Sequence, residues 1–181
     1  LSVGLGLLAE LARGEKLPWT LLPATGFAAM IAIGGVITCF PALAELTTGA
    51  ITGLAVAGYV ALLTGGPRGP IRSLAALKPR SGLTWQVLAA VGVFLVFGAP
   101  VILSGSATFL GYVKLDDTST WLAFTDHVLA HGHSSSGLPP SSYEAVIQIN
   151  LSAGYPLGAF IPLGIGHELT GQDSAWLFQP Y

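Results

Sequence analysis

Apolar residues run along this chain in blocks of membrane length, and two short segments between them hold nearly all the basic residues. The first block, Leu1 to Leu11, is too short to span a bilayer, which needs about 20 apolar residues. Thr20 to Phe40 is long enough, with Pro18-Trp19 before it and Pro41 after it. Trp19 suits the aromatic belt of a membrane interface. Leu46 to Thr64 is a second span, rich in Gly and Ala. Its Gly49-x3-Gly53 spacing predicts close packing on a neighbouring helix of the same chain, with dimerisation as the other use of such a face. Leu83 to Leu103 is a third span, entered through Trp85 and broken near its end by Pro100.

From Ser104 to Asn150 the pattern turns polar. Asp117 or Thr118 is placed to cap a helix whose body runs from Trp121 to Ala130 and which Gly132 closes. Trp121, Phe124 and Val128 fall on one face of it, which predicts a helix lying along the membrane surface. The Ser/Pro stretch from Ser134 to Ser142 reads as a loop. Leu151 to Leu169 is apolar again but carries Gly154, Pro156, Gly158, Pro162, Gly164 and Gly166. A continuous lipid-facing helix tolerates these poorly, so a broken or re-entrant segment packed on protein is expected. Asp173 is placed to cap a further span beginning at Ser174-Ala175-Trp176.

Composition fixes the class and charge fixes the orientation. Hydrophobic residues make up 52% of the 181, mean hydropathy is +0.69, and only 9% carry a formal charge, with net charge −2. The expected architecture is all-α, a polytopic transmembrane helical bundle with an extracytoplasmic loop containing a surface helix. Arg13 and Lys16 lie in one loop, and Arg68, Arg72, Lys78 and Arg80 in another, between Gly65 and Gly82. The positive-inside rule makes both loops cytoplasmic, so 65–82 is inside and 104–150 outside the cytoplasmic membrane. The basic loop also suits contact with anionic lipid. The chain divides into transmembrane helices (1–103), the outer loop (104–150), and the broken segment with the start of another helix (151–181). Leu1 to Leu11 lacks a basic n-region and a cleavage motif, so the chain reads as part of a larger protein rather than one led by a signal peptide. The single cysteine, Cys39, excludes a disulfide framework and is expected as a small buried hydrophobe.

The chemistry-bearing residues gather in the outer loop. Asp116 and Asp117 stand side by side at the head of the predicted helix, as a general base or metal-binding carboxylates, or as a cap plus a solvated acid. His127 and His131, four apart, share a helical face, and His133 follows in the turn. With Asp117 they form a candidate metal set, although imidazoles also suit a helix C-terminus. Asp126 is nine residues from Asp117, on the opposite side of the helix. His167 and Glu168 are further candidates or a solvated tip. No basic motif for nucleic acid and no phosphate-cradling loop is present.

The stretch Gly111-Tyr112-Val113-Lys114-Leu115-Asp116-Asp117-Thr118-Ser119-Thr120-Trp121-Leu122 resembles the acidic outer loop of the GT-C superfamily of membrane glycosyltransferases. Gly154-Tyr155-Pro156-Leu157-Gly158 and the run from Asp173 to Tyr181 are similar to multi-pass proteins of that type. Here several apolar segments precede the acidic loop, whereas members of the superfamily usually place it after the first span. The resemblance implies inverting transfer of a sugar from a polyprenyl-phosphate donor to a glycan or lipid acceptor outside the membrane. It implies Asp116 or Asp117 as general base and a divalent cation, Mg²⁺ or Mn²⁺, at the leaving phosphate. The competing readings are a multi-pass transporter module and a non-catalytic subunit of a membrane complex. The expected partners are the bilayer, the lipid-linked donor and the acceptor, with the oligomeric state open.

Overall fold

A computed structural model describes residues 1–64, 83–104 and 116–178, and among them every regular element is helical. The helices are α1 (Ser2–Arg13), α2 (Leu22–Thr38), α3 (Thr47–Thr64), α4 (Leu83–Ser104), α5 (Asp116–His131), α6 (Ser142–Ser152), α7 (Phe160–Thr170) and α8 (Ser174–Phe178). Two of the described helical stretches are long and apolar enough to cross a membrane, Trp19–Thr38 and Pro41–Thr64. α4 covers the third predicted span, and within it Val87–Val96 forms a shorter apolar stretch. Trp85, Phe94, Val96 and Leu103 of α4 are exposed. The basic loop from Arg68 to Arg80 lies outside the described residues.

The first three helices pack through glycine. A methyl group on Gly6 would meet the Leu22 carbonyl, and one on Gly26 would meet Ser2 and Gly6, so α1 runs antiparallel to α2. A methyl on Gly4 would meet Ala55, and one on Gly58 would meet Gly4 and Leu8, so α1 runs parallel to α3. Backbones at this separation need residues without a Cβ, the contact that membrane helices use where no hydrophobic gain drives association. The expected pair, Gly49 and Gly53, makes no such contact among the described residues: none of these lies within 4 Å of a Cβ at either. The packed face of α3 is instead Thr48, Ile51, Ala55 and Gly58, to which Gly49 and Gly53 do not belong. Glycine spacing marks a smooth face without saying whether a partner occupies it.

Helices α5 to α8 form a cap on the turn between α2 and α3. The 3₁₀ segment Pro41–Leu46 in that turn packs against α5. Gly132 ends α5 at φ 59°, where its missing side chain leaves room for Thr38 and Pro41, and the His133 N–H donates to the Thr38 carbonyl at 3.1 Å. α7 enters beside α2, with Gly158 against Ile31 and Ile161 against Gly34. Ile31 lies seven residues before the end of α2, so the turn Leu157–Ala159 that leads into α7 sits about 10 Å down the side of that helix. One core runs through both parts, from Leu5, Met30, Ile51 and Ala55 to Phe124, Val128, Phe160, Ile161 and Ile165.

Four expectations meet this architecture differently. The Gly/Pro-rich segment is broken and packed on protein: α6 ends, Gly154 turns at φ 74°, and α7 begins after the 3₁₀ turn Leu157–Ala159. α5 starts at Asp116, so Asp117 and Thr118 lie within its first turn rather than capping it. Its apolar face is not free for a membrane surface. Phe124 and Val128 are wholly buried, Phe124 stacks on Tyr155 and Phe160 at 5.6 and 5.4 Å, and Trp121 meets Phe160 edge-on at 5.0 Å. Cys39 is exposed rather than buried, because α2 has ended by that point and only the preceding Thr38 is covered.

Candidate functional site

α5 carries most of the chemistry and serves four faces at once. Asp117 and Ser119 near its head face water, Phe124 and Val128 enter the core, Thr125 and Leu129 meet α7, and His127 meets the loop that follows the helix. Asp117 is exposed in the first turn, where the helix dipole favours a carboxylate. Asp116 opens the same turn.

A cleft of about 180 Å³ lies between α5 and α7, lined by Thr125, Asp126, Leu129, Ala130, Gly164, His167 and Glu168. Gly164 makes the approach of the two helices possible, since a Cβ there would press on Leu129 and on the Thr125 carbonyl. Asp126 accepts a hydrogen bond from the Ser174 hydroxyl at 2.8 Å, which ties α5 to α8 across 48 residues of chain. His167 Nδ1 sits 2.6 Å from the Gln172 carbonyl. A carbonyl only accepts, so Nδ1 donates this bond. Asp173 caps α8 as its position predicted, accepting from the Ala175 N–H at 2.8 Å.

The histidines divide. His127 is completely buried and its Nε2 lies 2.8 Å from the Ser134 carbonyl. Burial pushes its pKa below 6.5, and repulsion from His131 adds to this against the opposing Ser134 hydrogen bond. His131 is exposed one turn further on, with ring centroids 5.0 Å apart. The predicted shared face is therefore present. Tyr143 packs at 6.3 Å from His127 and donates to the Ala123 carbonyl at 3.3 Å. Burial, with the negative charge of Asp126, raises its pKa above 10.0, so the phenol stays protonated.

The four-residue metal set is not assembled around one point. Asp117 precedes His127 by ten residues, about 15 Å along the helix axis, too far for one ion. His133 is exposed in the turn, anchored by its backbone. Among the described residues no group of three His, Cys, Asp or Glu side chains is arranged to hold a metal.

Two features escaped the reading of the sequence. α6 is one, although Ser141-x-x-Glu144 is a capping box in which the Ser141 hydroxyl accepts from the Glu144 N–H at 3.1 Å. Glu10 is the other, the single acid of an apolar helix and only 1% exposed. Its carboxylate accepts the Leu17 N–H at 3.0 Å and closes the turn between α1 and α2.

Comparison of the chain with known protein families, curated proteins and solved structures finds no match.

Proposed function

We propose that this chain belongs to an integral membrane glycosyltransferase of GT-C type. It moves a sugar from a polyprenyl-phosphate donor to a glycan or lipid acceptor on the outer face of the cytoplasmic membrane. The observation that carries the reading is the attachment of the cap. Residues 116–178 dock on the turn between α2 and α3, at the far end of α2 from Arg13 and Lys16. If basic residues stay inside, this end is outside. It presents Asp117 to water in the first turn of a helix whose later turns, at Phe124 and Val128, are locked into a core, and a rigid helix suits a base that must meet a hydroxyl in fixed geometry.

In this mechanism Asp116 or Asp117 removes the proton of the acceptor hydroxyl as its oxygen attacks the anomeric carbon. The bond to the donor phosphate breaks with inversion, and the lipid phosphate leaves. The paired carboxylates are oxygen donors that fit Mg²⁺ or Mn²⁺, which when bound would offset charge on the phosphate. α4 completes the membrane domain in this reading, its 22 residues matching roughly 30 Å of hydrocarbon. The turn Leu157–Ala159, about 10 Å down the side of α2, forms with the start of α7 the re-entrant wall of a groove for the lipid chain.

Asp116→Asn, Asp117→Asn and the double variant, assayed in membranes with a lipid-linked sugar, test the reading. The expected loss for the essential residue is on the order of 10²- to 10⁴-fold, with insertion unchanged. Wild-type transfer in all three would overturn it. A transporter module is the second reading, and it calls for a carboxylate held among the spans. Glu10 is buried there, but its hydrogen bond to Leu17 gives it a structural task at the end of α1. Transport that fails in Glu10→Gln while the Asp variants act normally would favour that reading instead.

A further inference from the structure

The proposed transfer makes no use of His127, the one imidazole that is completely buried among the described residues. Its Nε2 faces the Ser134 carbonyl at 2.8 Å and therefore carries the ring proton. That leaves the lone pair on Nδ1, and Nδ1 is buried without a hydrogen-bond partner. A backbone carbonyl holding one nitrogen while the other stays bare is the arrangement found around metal-bound histidine.

His131 supplies the second donor. It is exposed, stands one helical turn from His127, and its ring centroid lies 5.0 Å away. Zinc-nitrogen bonds of about 2.0–2.1 Å at a tetrahedral angle put two imidazole centroids roughly 5 Å apart. The observed spacing is thus already that of a shared ion, and the exposed ring is free to turn a nitrogen towards it. Imidazole selects borderline ions over Mg²⁺ and Ca²⁺, which prefer oxygen. We propose that His127 Nδ1 and a ring nitrogen of His131 together bind one borderline divalent transition-metal ion, Zn²⁺, Ni²⁺ or Cu²⁺, at the C-terminal end of α5, with water in the other positions. The low proton affinity that burial gives His127 keeps that nitrogen open to the ion at neutral pH.

The site is independent of the sugar-transfer reading and is tested without activity. The full chain, free of any oligohistidine tag, is titrated in detergent with Zn²⁺ against a chromogenic chelator, and separately with Cu²⁺ under electron paramagnetic resonance. The expected result is one Zn²⁺ per chain and nitrogen hyperfine structure from two imidazoles on Cu²⁺. His131→Ala, a change at an exposed position, should weaken Zn²⁺ at least about tenfold, as should His127→Gln, while His133→Ala binds as wild type. Should His127→Gln fail to fold, His131→Ala decides alone. Unchanged affinity in His131→Ala, loss in His133→Ala, or no bound Zn²⁺ in the wild type would overturn the proposal.

Discussion

His127 is where a single residue concentrates the most physics. Placed in the core, an imidazole loses hydration that its charged form needs more than its neutral form, so its pKa falls below 6.5. The unfolded chain keeps the ordinary value and takes up its proton first as the pH drops. Stability therefore holds above about 6.5 and declines as the pH falls from there through the lowered native pKa. Thermal unfolding in detergent with a chelator present, followed between pH 7.5 and 5, should show this decline. In His127→Gln the slope over that interval should shrink, whatever the variant's absolute stability. An identical slope in the variant would mean that other groups produce the acid sensitivity. The i, i+4 pairing of His127 with His131 was readable from the sequence because helix geometry dictates it. That one ring is buried and the other exposed was not, since this depends on the Ser134 turn and on Tyr143 arriving from α6.

Helices α1 to α3 are held by four glycines whose places a methyl group would deny. At Gly26 an added Cβ would meet the Ser2 carbonyl and the Gly6 nitrogen, backbone atoms with no rotamer to yield. Gly26→Ala is therefore expected to push α1 off α2 and to cost about 1–3 kcal/mol. Gly53→Ala meets none of the described residues and is expected to be neutral or to stabilise by up to about 1 kcal/mol through helix propensity alone. Unfolding of the two variants side by side in detergent checks this, and equal effects would mean that α1 does not pack as described. The same contrast explains what was legible at this scale. Helix positions and the break after α6 follow from local pattern, namely apolar run length, Pro and Gly. Which face of a helix another helix covers does not, because Gly49-x3-Gly53 and Gly58 read alike until α1 is seen lying on only one of them. For α5 the apolar stripe at Trp121, Phe124 and Val128 showed which face is covered, and α7 and Tyr155, rather than lipid, turned out to cover it.

For the molecule as a whole, the distribution of charge and the docking of the cap are independent observations that bear on one topology. Under the proposed orientation, in which basic loops stay inside, Arg13 and Lys16 lie inside and residues 104–150 outside. Packing puts residues 116–178 on the turn between α2 and α3, one helix length from Arg13 and Lys16. The proposed topology joins the two as a hairpin of α2 and α3 across the membrane, with the turn Pro41–Leu46 outside. Site-directed labelling tests that arrangement directly. Cys39 is exposed and must first be replaced, as Cys39→Ala. In that background Ser135→Cys, in the loop after α5, should react with an impermeant thiol reagent on intact cells. Glu15→Cys, exposed in the turn between α1 and α2, should react only after the membrane is opened. The reverse pattern would turn the protein over and put the Asp pair on the cytoplasmic side, away from an outer acceptor. Labelling of both on intact cells would remove the hairpin itself, since two ends of one membrane-crossing helix cannot share a face.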